Sequence, residues 1–262
     1  MFDLPPNITV VGAGRLAWNL IPSLQKAGLR VSAIFSRTED TAALFSETFH
    51  IPLYGTDFRN IPEETDLVFL TVGDQAIEEV SAQISGIVSP QTILVHTSGS
   101  TPLNALRHRG PVGVFYPLQT FTRHSFRDFA DVPVFAEGSP DALRTLLPVA
   151  KAVSGTVQLM DSEERLRLHL GAVLVNNFTN YLYKIAAELN PKTDFSVFRP
   201  LISGHMDNVF SRGPALSQTG PAVREDITTL QKHLQLLDAY PEIASLYRQI
   251  SVLIQPNLST RI

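Results

Sequence analysis

Three short stretches hold residues whose types and spacing could do chemistry. Residues 8–17 read ITVVGAGRLA, with glycines at 12 and 14 and a small residue at 17 directly after an apolar run. Residues 96–100 read HTSGS and also follow an apolar run. Residues 168–184 read LHLGAVLVNNFTNYLYK and string His169, Asn176, Asn177, Asn180, Tyr181 and Lys184 along an otherwise apolar segment. The first is a G-x-G-x-x-A turn. Gly12 permits the tight bend, Gly14 lets a pyrophosphate approach the backbone, and Ala17 allows close helix–strand packing. The helix opening at Arg15 and Leu16 then offers free N–H groups and a positive dipole end to an anion.

The next apolar run ends in Ser36, Arg37 and Thr38. A carboxylate in this region would hold ribose hydroxyls; a guanidinium and two hydroxyls instead suit a 2′-phosphate. The expected cofactor is therefore NADP(H) rather than NAD. In an open parallel sheet, ligands lie at the carboxyl ends of the strands. Val72 and Gly73 of TVGDQ and Thr97 of HTSGS are thus expected to face the same cofactor.

HTSGS admits two chemistries. His96 could activate Ser98 for acyl transfer, or Ser98 and Thr97 could hydrogen-bond a substrate or carboxamide beside a bound cofactor. A hydrolase elbow reads G-x-S-x-G because both glycines relieve crowding around a strained serine. Here histidine occupies the first glycine position. The second chemistry is favoured, with His96 in a supporting role.

In a regular α-helix His169 and Asn176, seven apart, lie within roughly 20° of each other. Asn180 extends their stripe, and Lys184 belongs to a neighbouring one. Asparagine is a poor helix former, so this clustering points to a catalytic face. His169 is the candidate general acid and Asn176 the candidate donor to a developing negative charge. Residues 219–233, TGPAVREDITTLQKH, add Arg224 and Asp226 as substrate-binding candidates with Ser98 and Asn180. No metal site is assigned.

These residues need an α/β scaffold. Apolar runs at 7–11, 30–35, 51–54, 66–71, 92–96, 112–116, 132–136 and 156–160 read as strands. Helical patterns at 15–27, 38–49, 75–84, 102–107 and 140–153 fall between them. That alternation predicts βαβ units and a mostly parallel sheet. Beyond residue 160 the pattern is helical, over 162–189, 196–210, 223–239 and 241–253. The expected organisation is a Rossmann domain over 1–160 and a smaller all-α substrate and dimerisation domain over 161–262.

Composition narrows the classes. Residues 1–160 hold 11 basic and 15 acidic side chains, and 161–262 hold 10 of each, so no basic face for nucleic acid is expected. The absence of cysteine removes disulfides and thiolate metal sites and fits a reducing cytoplasm. No signal peptide is expected before the first strand, and no apolar run reaches the ~20 residues of a membrane span.

VVGAGRLA, LTVGDQAI, HTSGS, YPLQTF, HLGAVLVNNF and TGPAVREDITTLQKHL together resemble Rossmann-like oxidoreductases with a C-terminal DUF2520 domain. That group is similar to the superfamily of ketopantoate reductase, pyrroline-5-carboxylate reductase, prephenate dehydrogenase and 6-phosphogluconate dehydrogenase. The resemblance implies NADP(H), a helical domain covering the nicotinamide, and a homodimer built from that domain. Three departures stand out. Tyr116-Pro117 replaces a common His-Pro, and Glu225 replaces a glycine between Arg224 and Asp226. A helical lysine one turn before asparagine is missing, since Ala172 and Val173 occupy those positions. The expected activity is NADPH-dependent reduction of a small carbonyl or imine, a 2-oxo acid among the choices. A non-catalytic NADP-binding sensor or scaffold is the alternative.

Overall fold

The computed structural model describes residues 5–122 and 126–262. Eight strands form one sheet: β1 (Asn7–Val11), β2 (Arg30–Phe35), β3 (Leu53–Gly55), β4 (Leu67–Leu70), β5 (Ile93–His96), β6 (Val112–Pro117), β7 (Val134–Gly138) and β8 (Val157–Leu159). Their spatial order is β3-β2-β1-β4-β5-β6-β7-β8. All pairs are parallel except β6 with β7. The chain winds outward from β1 to β3, then returns to place β4 on the other side of β1. The β1/β4 junction is therefore the switch point where open sheets of this kind bind ligands.

Helices α1 (Arg15–Lys26), α2 (Glu39–Phe49), α3 (Ile77–Ser85) and α4 (Pro140–Val153) connect the strands. The α1 sequence buries Ala17, Leu20, Ile21 and Leu24, one apolar stripe at helical spacing, against a core that includes Ile8, Val10 and Phe69. Ser139 caps α4 by accepting from the Ala142 N–H, with Pro140 in the first turn where its missing donor costs nothing. The short helix expected over 102–107 is a single tight turn at Leu103–Ala105.

Strand content ends at Leu159, but the chain divides into two compact units only after Tyr181. The helix α5 (Ser162–Ala172) therefore packs with the sheet. Its start is fixed by a capping box, in which Asp161 accepts from the Glu164 N–H and the Glu164 side chain accepts from the Asp161 N–H. Arg165, 1% exposed, donates to Glu137 of β7, to the Thr101 carbonyl (2.7 Å) and to Ser162 Oγ (3.2 Å). Ser162 Oγ in turn donates to Glu137 and accepts from the Leu103 N–H.

The single helix expected over 162–189 is not uniform. A π-helical segment (Val173–Phe178) separates α5 from α6 (Thr179–Leu189). Its wider i→i+5 turn holds an extra residue, so the α-helical phase relation between His169 and Asn176 does not run unbroken. The second unit, from Leu182 onward, contains the rest of α6 with α7 (Arg199–Arg212), α8 (Ile227–Leu236) and α9 (Pro241–Ile254). The helix expected from 223 begins only at Ile227. Glu225 has φ 52°, a left-handed conformation that breaks the helix, and Asp226 is the N-cap of α8. Among the described residues no helix is long and apolar enough to cross a membrane.

Removing Arg165 would strand the Glu137 carboxylate. Arg165→Met is expected to lower unfolding free energy by roughly 3 kcal/mol, measured by urea denaturation. Pairing it with Glu137→Gln should recover part of that loss. A double variant as unstable as the sum of both single variants would contradict the pairing.

Candidate active site

The ends of β1, β2, β4 and β5 build the first part of the site. Gly12 has φ +108°, and a Cβ there would lie 2.7 Å from the Thr71 carbonyl carbon and oxygen. The fold itself therefore demands glycine at 12. Thr71 Oγ1 locks the same approach by donating to the Gly12 carbonyl at 2.5 Å.

Gly14 and Gly73 are different. A Cβ on Gly14 would come no closer than 3.7 Å to the protein, and one on Gly73 would meet nothing within 4 Å. Both have negative φ. Nothing in the protein requires glycine at either position, whereas a ligand running along the backbone would. No side chain caps α1, and its first turn carries no acid. The N–H groups of Arg15, Leu16 and Ala17 are thus presented to whatever lies beyond Gly14, as a pyrophosphate needs. At the end of β2, Ser36 is half-buried and Arg37 and Thr38 are exposed. Arg37 makes no ion pair or hydrogen bond with the described residues, and Thr38 leaves α2 without a side-chain cap. Its hydroxyl donates instead to Thr41 (2.8 Å). These residues fit the diphosphate and 2′-phosphate of NADP.

The HTSGS segment is braced rather than reactive. His96 is fully buried, and its Nδ1 accepts from the Ser98 N–H at 3.2 Å. Ser98 Oγ accepts from the N–H groups of Ser100 (3.1 Å) and Thr101 (3.0 Å). Among the described residues no histidine nitrogen is hydrogen-bonded to Ser98 Oγ, so no Ser–His nucleophile pair is formed. Thr97 Oγ1 donates to the Leu70 carbonyl (3.3 Å), and Ser100 Oγ to Asp74 (2.6 Å), tying the β4 and β5 loops together. Burial pushes the His96 imidazole down to about 4, with the Arg165 charge adding to the effect. Its Nε2 has no partner of good hydrogen-bond geometry, and the Pro102 backbone and Asp74 offset the burial only in part.

Beside this loop lies a pair that sequence reasoning missed. Tyr116 Oη and His169 Nδ1 are 3.1 Å apart, with their rings edge-on at 5.9 Å. A Cβ on Gly99 would fall 2.7 Å from both. The bare Gly99 backbone is what lets the tyrosine and histidine meet. Further along the chain after β6, Thr120 Oγ1 accepts from Asn176 Nδ2 at 2.7 Å. His169 and Asn176 therefore reach residues four apart in the YPLQT segment, across the π-helical turn. The signal for Tyr116 was present as an aromatic residue directly before Pro117 at the end of an apolar run. Nothing in the sequence pointed to Thr120, Gly99 or the Arg165–Glu137 pair.

Of the other candidates, Asn180 belongs to the first unit and Lys184, Arg224 and Asp226 to the second. Asn180 is exposed near the end of the first unit. Lys184, in the second unit, lies 3.6 Å from Glu188 one turn on. Arg224 is exposed in the turn before α8. Asp226, expected to touch substrate, is the N-cap of α8: its carboxylate accepts from Thr229 N–H (3.1 Å) and Thr229 Oγ1 (2.7 Å). Those bonds hold its carboxyl below the usual range. Glu225 pairs with Arg261 at 2.5 Å, which offsets its left-handed backbone. The second unit also encloses an apolar cavity of about 270 Å³ between Ile185, Ala222, Leu230 and Tyr247. It offers no carboxylate, ammonium or guanidinium to a substrate.

Stability should depend on pH through His96. In the unfolded chain it takes up a proton near pH 6.5, but in the fold only near 4. The unfolded state binds more protons in that window, so stability falls as pH drops through it. His96→Gln should remove up to roughly 3 kcal/mol of the stability difference between pH 7 and pH 4, read by urea denaturation at both pH values. Identical pH slopes in the two proteins would contradict this.

The family described as "NADP oxidoreductase coenzyme F420-dependent" matches residues 7–98, and the domain of unknown function DUF2520 matches residues 132–254. No curated protein matches the chain. Among solved structures, the "putative NADP oxidoreductase BF3122" of Bacteroides fragilis is 35% identical, with 96% of this chain and 98% of that one covered and a TM-score of 0.88. An imine reductase from Myxococcus stipitatus, in complex with NADP+, is 16% identical over 97% of this chain and 95% of that one, with a TM-score of 0.65. A pyrroline-5-carboxylate reductase from Coxiella burnetii is 14% identical over 96% and 99%, with a TM-score of 0.56. These last two share the fold. The identity to the Bacteroides protein over nearly the whole of both chains shows more: this protein belongs to the family of Rossmann-type NADP oxidoreductases with a C-terminal DUF2520 domain.

Proposed function

We propose that the chain binds NADPH at the β1/β4 switch point and reduces a small carbonyl or imine compound, 2-oxo acids included. One observation carries the reading: glycines 14 and 73 border space that the protein leaves open, beside an uncapped helix start. NADPH, when bound, supplies the hydride. The protein's task is to hold the acceptor and stabilise the charge that forms on its oxygen or nitrogen. Asn176 gives one amide N–H to Thr120 and keeps the second for the substrate. His169 is the proton-donating group, with its Nε2 making no bond to described residues. Ser98, braced by loop N–H groups, has its hydroxyl 3.5 Å from Ser100 Oγ and can turn its proton from that long contact to a substrate or carboxamide. Arg37, with Ser36 and Thr38, takes the 2′-phosphate and sets the preference for NADP(H) over NAD(H).

We also infer that two copies associate through the helical part, in the cytoplasm. Leu201, Phe210 and Leu216 are large apolar side chains at least 70% exposed in the second unit. Such surface on an isolated chain marks an interface. Sedimentation at micromolar concentration is expected to give twice the 28.9 kDa chain mass, and a monomer would refute it.

Cofactor and chemistry are tested together. Calorimetry should detect NADPH binding, and Arg37→Ala should weaken it roughly tenfold or more while leaving NADH unchanged. With a panel of 2-oxo acids, ketones and cyclic imines, NADPH oxidation at 340 nm should appear for the native chain. His169→Ala should slow it by about 100-fold or more. Binding of NADPH without turnover of any panel member would favour the sensor reading, and full activity in His169→Ala would remove that residue from the mechanism.

A further inference from the structure

Resting on the proposed reductase reading, we infer that Tyr116 is a positioning residue that holds His169 with its proton on Nε2 and passes its own hydroxyl proton to Nδ1 as the Nε2 proton is given up. Donors and acceptors at this contact must match. Tyr116 is 7% exposed, and among the described residues its Oη makes a single hydrogen bond, to His169 Nδ1 at 3.1 Å. A phenol carries one donor, and neutral imidazole carries one donor and one acceptor. Were Nδ1 the protonated atom, the tyrosine hydroxyl would only accept, and its own proton would have no acceptor among the described residues. A buried donor without a partner costs about 1–3 kcal/mol. Donation from Tyr116 to Nδ1 satisfies both groups and places the imidazole N–H on Nε2.

The surroundings hold the pair together. Tyr116 packs against Phe135 of β7, ring centroids 6.4 Å apart, and lies in one buried cluster with Val114 and Leu168. Gly99 lies beside both rings, where any larger side chain would displace them. Burial pushes the Tyr116 phenol above the ordinary value against the opposing charge of Arg165, and the Asp74 charge adds to the rise. The hydroxyl is therefore a stable donor while the substrate is neutral.

The proton balance is closed. When hydride adds to a carbonyl carbon, the electron pair of its π bond moves to oxygen. The Nε2–H bond breaks as a new O–H bond forms on that alkoxide, while the Tyr116 O–H bond breaks and Nδ1–H forms. A tyrosinate and an Nδ1-protonated imidazole remain; Nε2 then takes a proton from solvent water, leaving hydroxide, and Nδ1 returns its proton to the tyrosinate, which restores both starting forms. An alkoxide is far more basic than a tyrosinate, so the transfer runs downhill. For a neutral imine acceptor the same two transfers protonate the nitrogen.

The tautomer can be read without any substrate. Nitrogen-15 spectra of the full chain labelled at histidine should show, at pH 8, the His169 Nε2 as pyrrole-like and Nδ1 as pyridine-like, assigned by loss of the signals in His169→Ala. In Tyr116→Phe the Nδ1 signal should shift by several ppm and the tautomer bias should relax. Tyr116→His, which restores a ring N–H donor, should recover the bias. NADPH affinity by calorimetry should stay within twofold in both variants, which separates this inference from the cofactor reading and reports on folding. On an active panel substrate, Tyr116→Phe should lower kcat at least tenfold with KM nearly unchanged. A native His169 protonated on Nδ1, or Tyr116→Phe leaving both nitrogen shifts in place, would overturn the inference.

Discussion

The buried pair between Arg165 and Glu137 is the contact on which the arrangement of the site depends. A guanidinium 1% exposed can exist only where its charge and N–H groups are answered. Here its two terminal nitrogens are answered from three places in the chain, β7 through Glu137, the loop after HTSGS through the Thr101 carbonyl and α5 through Ser162, while Nε has no partner among the described residues. That convergence docks α5 on the sheet. One turn further along α5, His169 then meets Tyr116 at the end of β6. The same positive charge helps keep His96 neutral inside the sheet. The pair's contribution is best seen as geometric, since a well-packed apolar substitute could match its stability.

Glycines divide the remaining work. Gly12 and Gly99 are required by the protein, one because Thr71 comes so near, the other because two aromatic rings do. Gly14 and Gly73 are not required by contacts within the protein, and the space beside them is open.

The polar residues of the β5 loop show why residue type alone misleads. His96, Ser98 and Ser100 have the composition of a nucleophilic site. Folded, their side chains serve the backbone: an imidazole nitrogen accepts from a peptide N–H, and Ser98 closes the turn at 98–101. Asp226 is similar, its carboxylate spent on a helix start. Loop backbone that leaves the regular ladder must find partners somewhere, and nearby short polar side chains are the cheapest source.

The local and periodic part of this protein was legible before folding. Strand and helix order, the parallel sheet, the glycine turn and the residues after β2 follow from apolar periodicity and turn chemistry, which act over a few neighbours. Residues 7–11, 30–35 and 140–153 carry such patterns without conflict. Everything that needs two distant segments was settled only in three dimensions. The Tyr116–His169 contact spans 53 residues, and the Arg165–Glu137 contact 28. The π-helical turn at 173–178 and the left-handed Glu225 are backbone outcomes that local propensity disfavours, and at Glu225 the ion pair to Arg261 offsets the cost. Pattern reading weighs each residue against its neighbours in the chain, whereas these features depend on neighbours in space, which exist only once the chain has folded.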